Sequence, residues 1–229
     1  MQTSLLIFFP FLAALAVLFV KPVHVRMVGF VASLVEVVLS LVVAVQFTAD
    51  ANPQFALDIP WNQSAGIRFS VGIDGISLLL VLLTTVLVPL IILSSFGHSY
   101  NKPNIFYGLI LVMQMALIGV FVARDGFLFY LFWEVALIPI YFICLVWGGE
   151  GGQKITLKFF IYTLAGSLLM LVALVYLFFQ TPDGSFAIES LYSAGRGLPA
   201  AEQGLIFWAF FAAFAIKMPV FPFHTWQPD

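Results

Sequence analysis

The chain has 229 residues, of which 62% are hydrophobic and 9% are charged. Soluble domains carry about 25% charged residues, so this composition indicates a membrane protein. The formal net charge of −2 offers no basic surface for nucleic acid, and a single cysteine excludes an internal disulfide or a cysteine cluster for zinc or iron–sulfur binding.

Long apolar runs follow one another along the whole chain. A helix that crosses a bilayer needs about 20 mostly apolar residues, and seven segments meet this requirement. We therefore predict an all-α fold, a polytopic membrane helix bundle that forms a single transmembrane domain over residues 1–229. The first long loop has room for a short strand or hairpin around Phe55–Ile59 and Ile67–Val71. The predicted helices are roughly 4–20, 27–48, 75–96, 104–123, 125–147, 156–180 and 204–223.

Basic residues are more frequent in one set of loops than in the other. The positive-inside rule then places the loops that join predicted helices 1–2, 3–4 and 5–6 on the cytoplasmic side. The basic residues at this side are Lys21, Arg26, Lys102, Lys154 and Lys158.

Three ionisable residues, Glu36, Glu134 and Lys217, lie well inside predicted spans. Each costs about 2.5–3.5 kcal/mol at the bilayer centre, so each is a functional hypothesis by default. Pro139 should kink the helix that contains Glu134, because proline removes a backbone donor. The alternative for Glu134 is a protonated acid that is hydrogen-bonded to a neighbouring helix.

Lys217 is followed by Pro219 and Pro222, which should break the last helix beside the charge. Irregular backbone at membrane depth persists only inside protein or beside a water-filled cavity, and transporters build ion sites at such breaks. The alternative is a lysine that extends to the membrane interface. His224 would return to the face of Lys217 on an unbroken helix and could relay protons or cap the break.

Two other residues near these charges receive structural interpretations. Glu36 has no basic partner at its depth other than Lys217, so we interpret it as a protonated acid bonded locally. Trp133, directly before Glu134, is interpreted as a packing residue.

The attraction between a glutamate and a lysine inside a membrane is comparable to the energy needed to move a proton across it. At about 4 Å and an effective dielectric of 20 their attraction is roughly 4 kcal/mol. Moving one charge through 100 mV takes about 2.3 kcal/mol. The two energies are comparable, so a pair that is opened and closed by an outside event is strong enough to matter for proton transfer against a membrane potential.

Four segments together resemble the antiporter-like subunit M of NADH-quinone oxidoreductase, respiratory complex I, whose mitochondrial counterpart is subunit 4. The resemblance extends from about Val71 to the end. It implies an antiporter-like fold with helix 7 broken at the prolines, and a chain that ends before helix 8 with its first inverted repeat incomplete. The segments are VGIDGISLLLVLLTT, LFYLFWEVALIPIYFICLVWG, KFFIYTLAGSLLML and AFAIKMPVFPFHTWQPD.

The resemblance also implies roles for individual residues. Glu134 and Lys217 would form the proton-transferring pair of a hydrated half-channel, and Lys158 and His224 would belong to the lateral hydrophilic axis. No residue is expected to bind a cofactor or a metal.

The expected function is that of a proton-translocating membrane-arm subunit of NADH:quinone oxidoreductase, a translocase whose redox chemistry lies in other subunits. Flavin, iron–sulfur clusters and quinone are expected in those partners, and neighbouring antiporter-like subunits and lipids would surround the chain in a hetero-oligomer. The expected location is the bacterial cytoplasmic membrane, or the mitochondrial inner membrane for an organellar protein. The alternatives are a subunit of a multisubunit cation/proton antiporter and a truncated assembly element without transport.

Overall fold

The computed structural model describes residues 2–50, 52–149 and 152–227, and most of them are helical. Within this part, six segments are long and apolar enough to cross a membrane, and α1 is apolar but shorter. One of the six, Gly126–Trp147, is divided into two helices. The predicted membrane helix bundle is therefore confirmed. The helices are α1 (Gln2–Leu18), α2 (Val25–Gln46), α3 (Gly75–Ser94), α4 (Pro103–Val122), α5 (Gly126–Val135), α6 (Leu137–Trp147), α7 (Gly152–Gln180), α8 (Ile188–Gly197) and α9 (Ala200–Lys217).

A two-stranded antiparallel sheet, formed by β1 (Gln54–Asn62) and β2 (Ile67–Ile73), lies between α2 and α3 in the chain. The hairpin expected in this loop is thus confirmed, and it adds a small β element to the all-α prediction. The end of β2 is fully buried and joins the hydrophobic core beside α1 and α4. The Thr3 hydroxyl donates to the Phe55 carbonyl over 2.7 Å, which fastens the hairpin to the start of α1.

Helices α1 to α4 run in alternating directions. The central one is α4, which contacts α1, α2, α3, α5 and α6. The amide of Gln2 donates to Gln46 over 2.7 Å, so the start of α1 lies beside the end of α2. Arg26 donates to the Phe96 carbonyl over 3.0 Å, so the start of α2 lies beside the end of α3. The Ser95 hydroxyl is 2.9 Å from that of Tyr107, near the start of α4. As a consequence, α2 and α4 run parallel to each other.

The start of α5 is fixed by backbone and side-chain hydrogen bonds at a fully buried aspartate. Asp125 accepts from Leu128 N over 3.0 Å as the N-cap of α5, and from Arg68 N of β2 over 3.3 Å. Arg124 N donates to the Ser70 carbonyl over 2.8 Å. Burial raises the pKa of the Asp125 carboxyl, although the backbone hydrogen bonds oppose this rise. The hairpin therefore sets where α5 enters the membrane.

The loop before the last helix contains a further helix, α8, which is not among the helices predicted from the sequence. Its charges follow the helix dipole, with Glu189 in the first turn and Arg196 in the last. Its apolar residue Leu191 is buried against α7 and α5. The helix has only 10 residues, so packing against α7 rather than apolar length stabilises it.

A close approach between α4 and α5 depends on Gly119. A methyl group at this position would overlap the ring of Phe132, which is buried. We expect Gly119→Ala to lower the free energy of unfolding by about 1–3 kcal/mol, the usual cost of overpacking. The measurement is thermal unfolding of the protein purified from its membrane.

Gly204→Ala is the matched control, because Gly204 is also helical and its added methyl group would meet no atom within 4 Å. This variant should be neutral or more stable by about 0.4–1 kcal/mol. Equal unfolding temperatures for the two variants would contradict the packing assigned to Gly119.

Candidate functional site

Glu134 lies in the last turn of α5, at a break that Pro139 explains. The missing N–H of Pro139 leaves the Val135 carbonyl without its usual donor, and α5 ends at that residue. The chain resumes as α6 at Leu137. The predicted helix 125–147 is therefore divided one turn before the proline, and Glu134 stands beside the division.

Lys217 is the last residue of α9, so this helix ends there rather than near position 223 as predicted. Pro219 cannot donate to the Ala215 carbonyl, which instead accepts from Val220 N over 2.9 Å. The Ile216 carbonyl accepts from the indole N–H of Trp226 over 3.0 Å. Both carbonyls are thus bonded within the protein. A cation in the last turn of a helix is favoured by the helix dipole.

The Lys217 amine lies over the indole ring of Trp133, with Nζ 5.1 Å from the ring centroid. It also interacts electrostatically with the carboxylate of Glu134. Among the described residues, no contact of 4.0 Å or less joins these two charged groups. In this conformation their attraction is therefore weaker than the roughly 4 kcal/mol calculated for a separation of about 4 Å.

Trp133 connects α5 with α9 and does more than pack. Its ring contacts Phe214 of α9 edge-on, with 5.4 Å between centroids, and lies 5.8 Å from the ring of Phe129. These contacts fix the ring plane under the Lys217 amine, an arrangement typical of a cation–π interaction. The interpretation of Trp133 as a packing residue was therefore incomplete. The sequence feature that indicated a role beyond packing was the position of Trp133 directly before Glu134.

Tyr130 lies between Glu134 and a polar group of α7. Tyr130, one turn earlier on α5, interacts with both the Glu134 carboxylate and the buried hydroxyl of Ser167. The Glu134 Oε1 atom is buried and has no hydrogen-bond partner. The acid is thus half-buried, with one oxygen available to a further donor.

The close contact of α7 with α9 at Gly166 positions the lysine. A methyl group at Gly166 would lie 2.9 Å from Ile216 Cδ1 and 3.3 Å from Ile216 Cβ. The residue next to Lys217 therefore sits directly against the α7 backbone. Sequence reasoning missed Gly166, because nothing in the pattern of α7 distinguishes it from a lipid-facing glycine.

Lys158 and His224 lie further along the same side of the molecule. Lys158 is half-buried in the second turn of α7, about 12 Å along the helix from Gly166. His224 is half-buried in a 3₁₀ turn, Phe223–Trp226, and its Nδ1 atom is buried without a hydrogen-bond partner. Because α9 ends at Lys217, His224 does not share a helix face with that lysine.

Glu36 lies outside this site, on α2 among α1, α3 and α4. Its side chain is 1% exposed, and neither carboxylate oxygen has a hydrogen-bond partner. The expectation that Glu36 is bonded locally is wrong for this structure. Ser33 and Ser40, the hydroxyl residues on the same face, bond to backbone carbonyls of their own helix instead.

Comparisons with known proteins assign the two halves of the chain to related families. Residues 3–122 match the family described as NADH-ubiquinone oxidoreductase chain 4, amino terminus. Residues 123–229 match the family described as NADH:quinone oxidoreductase/Mrp antiporter, TM.

Individual relatives agree with these families. F(420)H(2) dehydrogenase subunit M of Methanosarcina mazei is 40% identical over 99% of this chain and 47% of its own length. NADH-quinone oxidoreductase subunit M of Rickettsia conorii is 34% identical over the same shares. A chain in the structure of respiratory complex I from Thermus thermophilus with bound NADH superposes with a TM-score of 0.88 at 32% identity, covering 100% of this chain and 46% of that chain. The chain thus spans about half the length of these relatives.

The contact between Lys217 and Trp133 should be measurable as a coupling free energy. We expect a double-mutant cycle of Trp133→Leu and Lys217→Met to give about 0.5–2 kcal/mol, the range of cation–π interactions from exposed to desolvated sites. The measurement is the free energy of unfolding of the protein purified from its membrane, for the wild type and the three variants of the cycle.

Trp208→Leu supplies the control cycle with the same lysine substitution. Trp208 is also on α9, but it is 62% exposed and its ring contacts are with Phe207 and Phe211. Its coupling to Lys217 should be near zero. An equal coupling in both cycles would show that the lysine does not engage Trp133 specifically.

Proposed function

Because this chain belongs to the family of NADH-ubiquinone oxidoreductase chain 4, we propose that it acts in a proton-translocating membrane-arm subunit of an NADH:quinone oxidoreductase. It would serve a translocase and carry out no redox chemistry itself. The observation that supports this proposal is that a half-buried acid and a half-buried lysine lie at two helix ends, with the lysine amine over the ring of Trp133, the residue next to the acid. An uncompensated charge there is expensive, so the two charges are expected to be controlled together.

Lys217 has two partners within reach of its flexible side chain. The indole of Trp133 favours the ammonium form, and the nearby Glu134 carboxylate does so more strongly at short range. Movement of the amine away from both would leave a buried cation without compensation, which favours release of its proton. A displacement of a few ångströms would therefore switch the lysine between holding and releasing a proton.

The polar face of α7 supports a route from Glu134 toward the cytoplasmic end of the site. Three hydroxyl residues, Thr156, Thr163 and Ser167, are buried along one face of this helix. Tyr130 joins Ser167 to Glu134. Hydroxyl groups both donate and accept, so a row of them with intervening water passes protons in either direction. In this proposal, Lys158 receives or supplies protons at the start of α7, and His224 assists from the turn after α9.

The partners would supply the energy. The described residues hold no group of three or more histidine, cysteine or acidic side chains that could hold a metal ion. We assign flavin, iron–sulfur clusters and quinone to other subunits of a hetero-oligomer in the inner membrane, beside lipids and neighbouring antiporter-like subunits. The relatives are named for two different electron donors, NADH and F(420)H(2). The donor would therefore be determined by the partner subunits and not by this chain.

A cation/proton antiporter is the second candidate function. The family that matches residues 123–229 includes the Mrp antiporter in its description, and this part contains both Glu134 and Lys217. The same pair would then be driven by an ion gradient instead of by electron transfer. Membranes containing the native assembly separate the two cases, since only the oxidoreductase acidifies or alkalises vesicles upon addition of an electron donor and a quinone.

Removal of the Lys217 amine should uncouple proton translocation from electron transfer. We expect Lys217→Met, in the full-length subunit within its membrane assembly, to lower the protons moved per electron while electron transfer to soluble acceptors stays at the wild-type rate. The reason is that the amine is the switchable proton carrier, whereas the redox groups lie elsewhere. Proton yield is measured with a pH-sensitive dye in sealed vesicles.

Lys21→Met is the matched control, because Lys21 is an exposed lysine in the loop between α1 and α2. It should leave the proton yield unchanged. A normal yield in Lys217→Met would overturn the proposed role and support a non-transporting assembly element. Loss of sodium-driven, but not donor-driven, proton movement would support the antiporter.

A further inference from the structure

We propose that Glu36 and Gln114 form a second proton-binding site, located between α2 and α4 and separate from Glu134 and Lys217. The ligand is a proton carried on the Glu36 carboxyl, with the Gln114 amide as its hydrogen-bond partner. This inference concerns the α1–α4 part of the bundle, and it holds whether or not the chain translocates protons.

Both side chains are enclosed and unpaired. Glu36 is 1% exposed and Gln114 is 0% exposed. All four of their side-chain oxygen and nitrogen atoms are buried without a hydrogen-bond partner among the described residues. A buried polar group that lacks a partner costs about 1–3 kcal/mol, so two such groups in one bundle need an explanation.

The register of the two helices brings these groups to the same depth. A methyl group on Gly29 of α2 would lie 3.6 Å from Tyr107 Cβ of α4, so these positions face each other. The two helices run parallel, and Glu36 and Gln114 lie about two turns further along each of them. Residues two turns apart share a helix face, so the acid and the amide lie at the same depth on facing sides of α2 and α4, and no hydrogen bond joins them in this conformation.

No opposite charge is available to a Glu36 carboxylate. The helices that contact α2 are α1, α3 and α4, and none of them contains a charged residue within its span. The one titratable side chain in these spans is Tyr107, whose hydroxyl is paired with Ser95. An isolated buried carboxylate is far more costly than a buried neutral acid, so the carboxyl binds a proton.

The nearby hydroxyl groups also favour the protonated form. Ser40, one turn beyond Glu36, lies 2.8 Å from Thr85 of α3. Ser40 also donates to the Val37 carbonyl and Thr85 to the Leu82 carbonyl, over 2.8 and 3.1 Å. Ser40 and Thr85 each have one hydroxyl proton, and these two protons serve the bond between the two hydroxyls and the two bonds to backbone carbonyls. Neither proton is left to donate to a Glu36 carboxylate.

A protonated carboxyl group and a primary amide can each donate one hydrogen bond to the other and accept one from it. In the proposed pair, a side-chain rotation brings the two groups together, so that the protonated carboxyl of Glu36 would donate its O–H to the Gln114 carbonyl oxygen and accept an N–H from the Gln114 amide nitrogen. This reciprocal pair removes the unsatisfied groups on both helices without placing a charge in the membrane. Gln114 is therefore a positioning residue for the protonated Glu36.

Infrared spectroscopy of the native membrane assembly with the full-length subunit tests this site. At pH 7 the difference between wild type and Glu36→Gln should contain one protonated-carboxyl C=O band that shifts in D₂O. In Gln114→Leu the same band should move to higher frequency, because its hydrogen bond to the amide is lost. Met113→Leu, on another face of α4, should leave the band in place.

Three results would overturn the site. A carboxylate band in place of the acid band would show that Glu36 is ionised. A carboxylate band that depends on replacing NaCl by KCl would show that the site takes a metal cation instead of a proton. A band that does not respond to Gln114→Leu would show that the amide does not face the acid. If Glu36→Gln fails to assemble, the Gln114→Leu spectrum supplies the test on its own.

Discussion

The constraint on which this structure depends is that backbone N–H and C=O groups in hydrocarbon must be bonded within the protein. An α-helix meets this constraint along its length, but Pro139 and Pro219 each lack the N–H that would bond to the carbonyl four residues earlier. At each position the helix ends, at Val135 and at Lys217. After α9, the protein closes the break with Val220 N and the Trp226 indole. Glu134 and Lys217 stand at or beside these helix ends, and both are half-buried in the protein.

The position of Glu134 along α5 depends on hydrogen bonds at the other end of that helix. α5 has 10 residues, so Glu134 lies about 13 Å from the N-cap Asp125. That aspartate is bonded to Arg68 N of the hairpin, and Gly126 N donates to the Phe186 carbonyl over 2.7 Å. The hairpin and the loop before α8 therefore fix one end of a short helix whose other end bears the carboxylate. A longer or less firmly attached helix would not define the position of Glu134 relative to Trp133 and Lys217.

Local sequence patterns were sufficient to predict the membrane helix bundle, because a long apolar run is a signal within one segment of the chain. The loop before α3 likewise indicated room for the hairpin. The joint role of Glu134 and Lys217 stays a prediction. Contacts between distant segments were not accessible in this way. The bond from Trp226 to Ile216 and the packing of α8 on α7 depend on tertiary structure, which a pattern of period 3.6 does not encode. The partnership of Trp133 with Lys217 required the fold for the same reason.

The two buried acids, Glu36 and Glu134, differ in what their surroundings offer. Glu134 has a lysine within electrostatic range, a tyrosine on its own helix and a free oxygen. None of the helices that contact α2 carries a cation for Glu36. Its neighbour at the same depth is the amide of Gln114, two turns beyond the contact between Gly29 and Tyr107. In the proposed roles, the Lys217 amine would move relative to Glu134, whereas Glu36 would keep its proton beside a neutral partner that cannot change its charge. The first environment would then serve transfer of a proton and the second its retention, so the same residue type would serve opposite purposes in the two parts of the bundle.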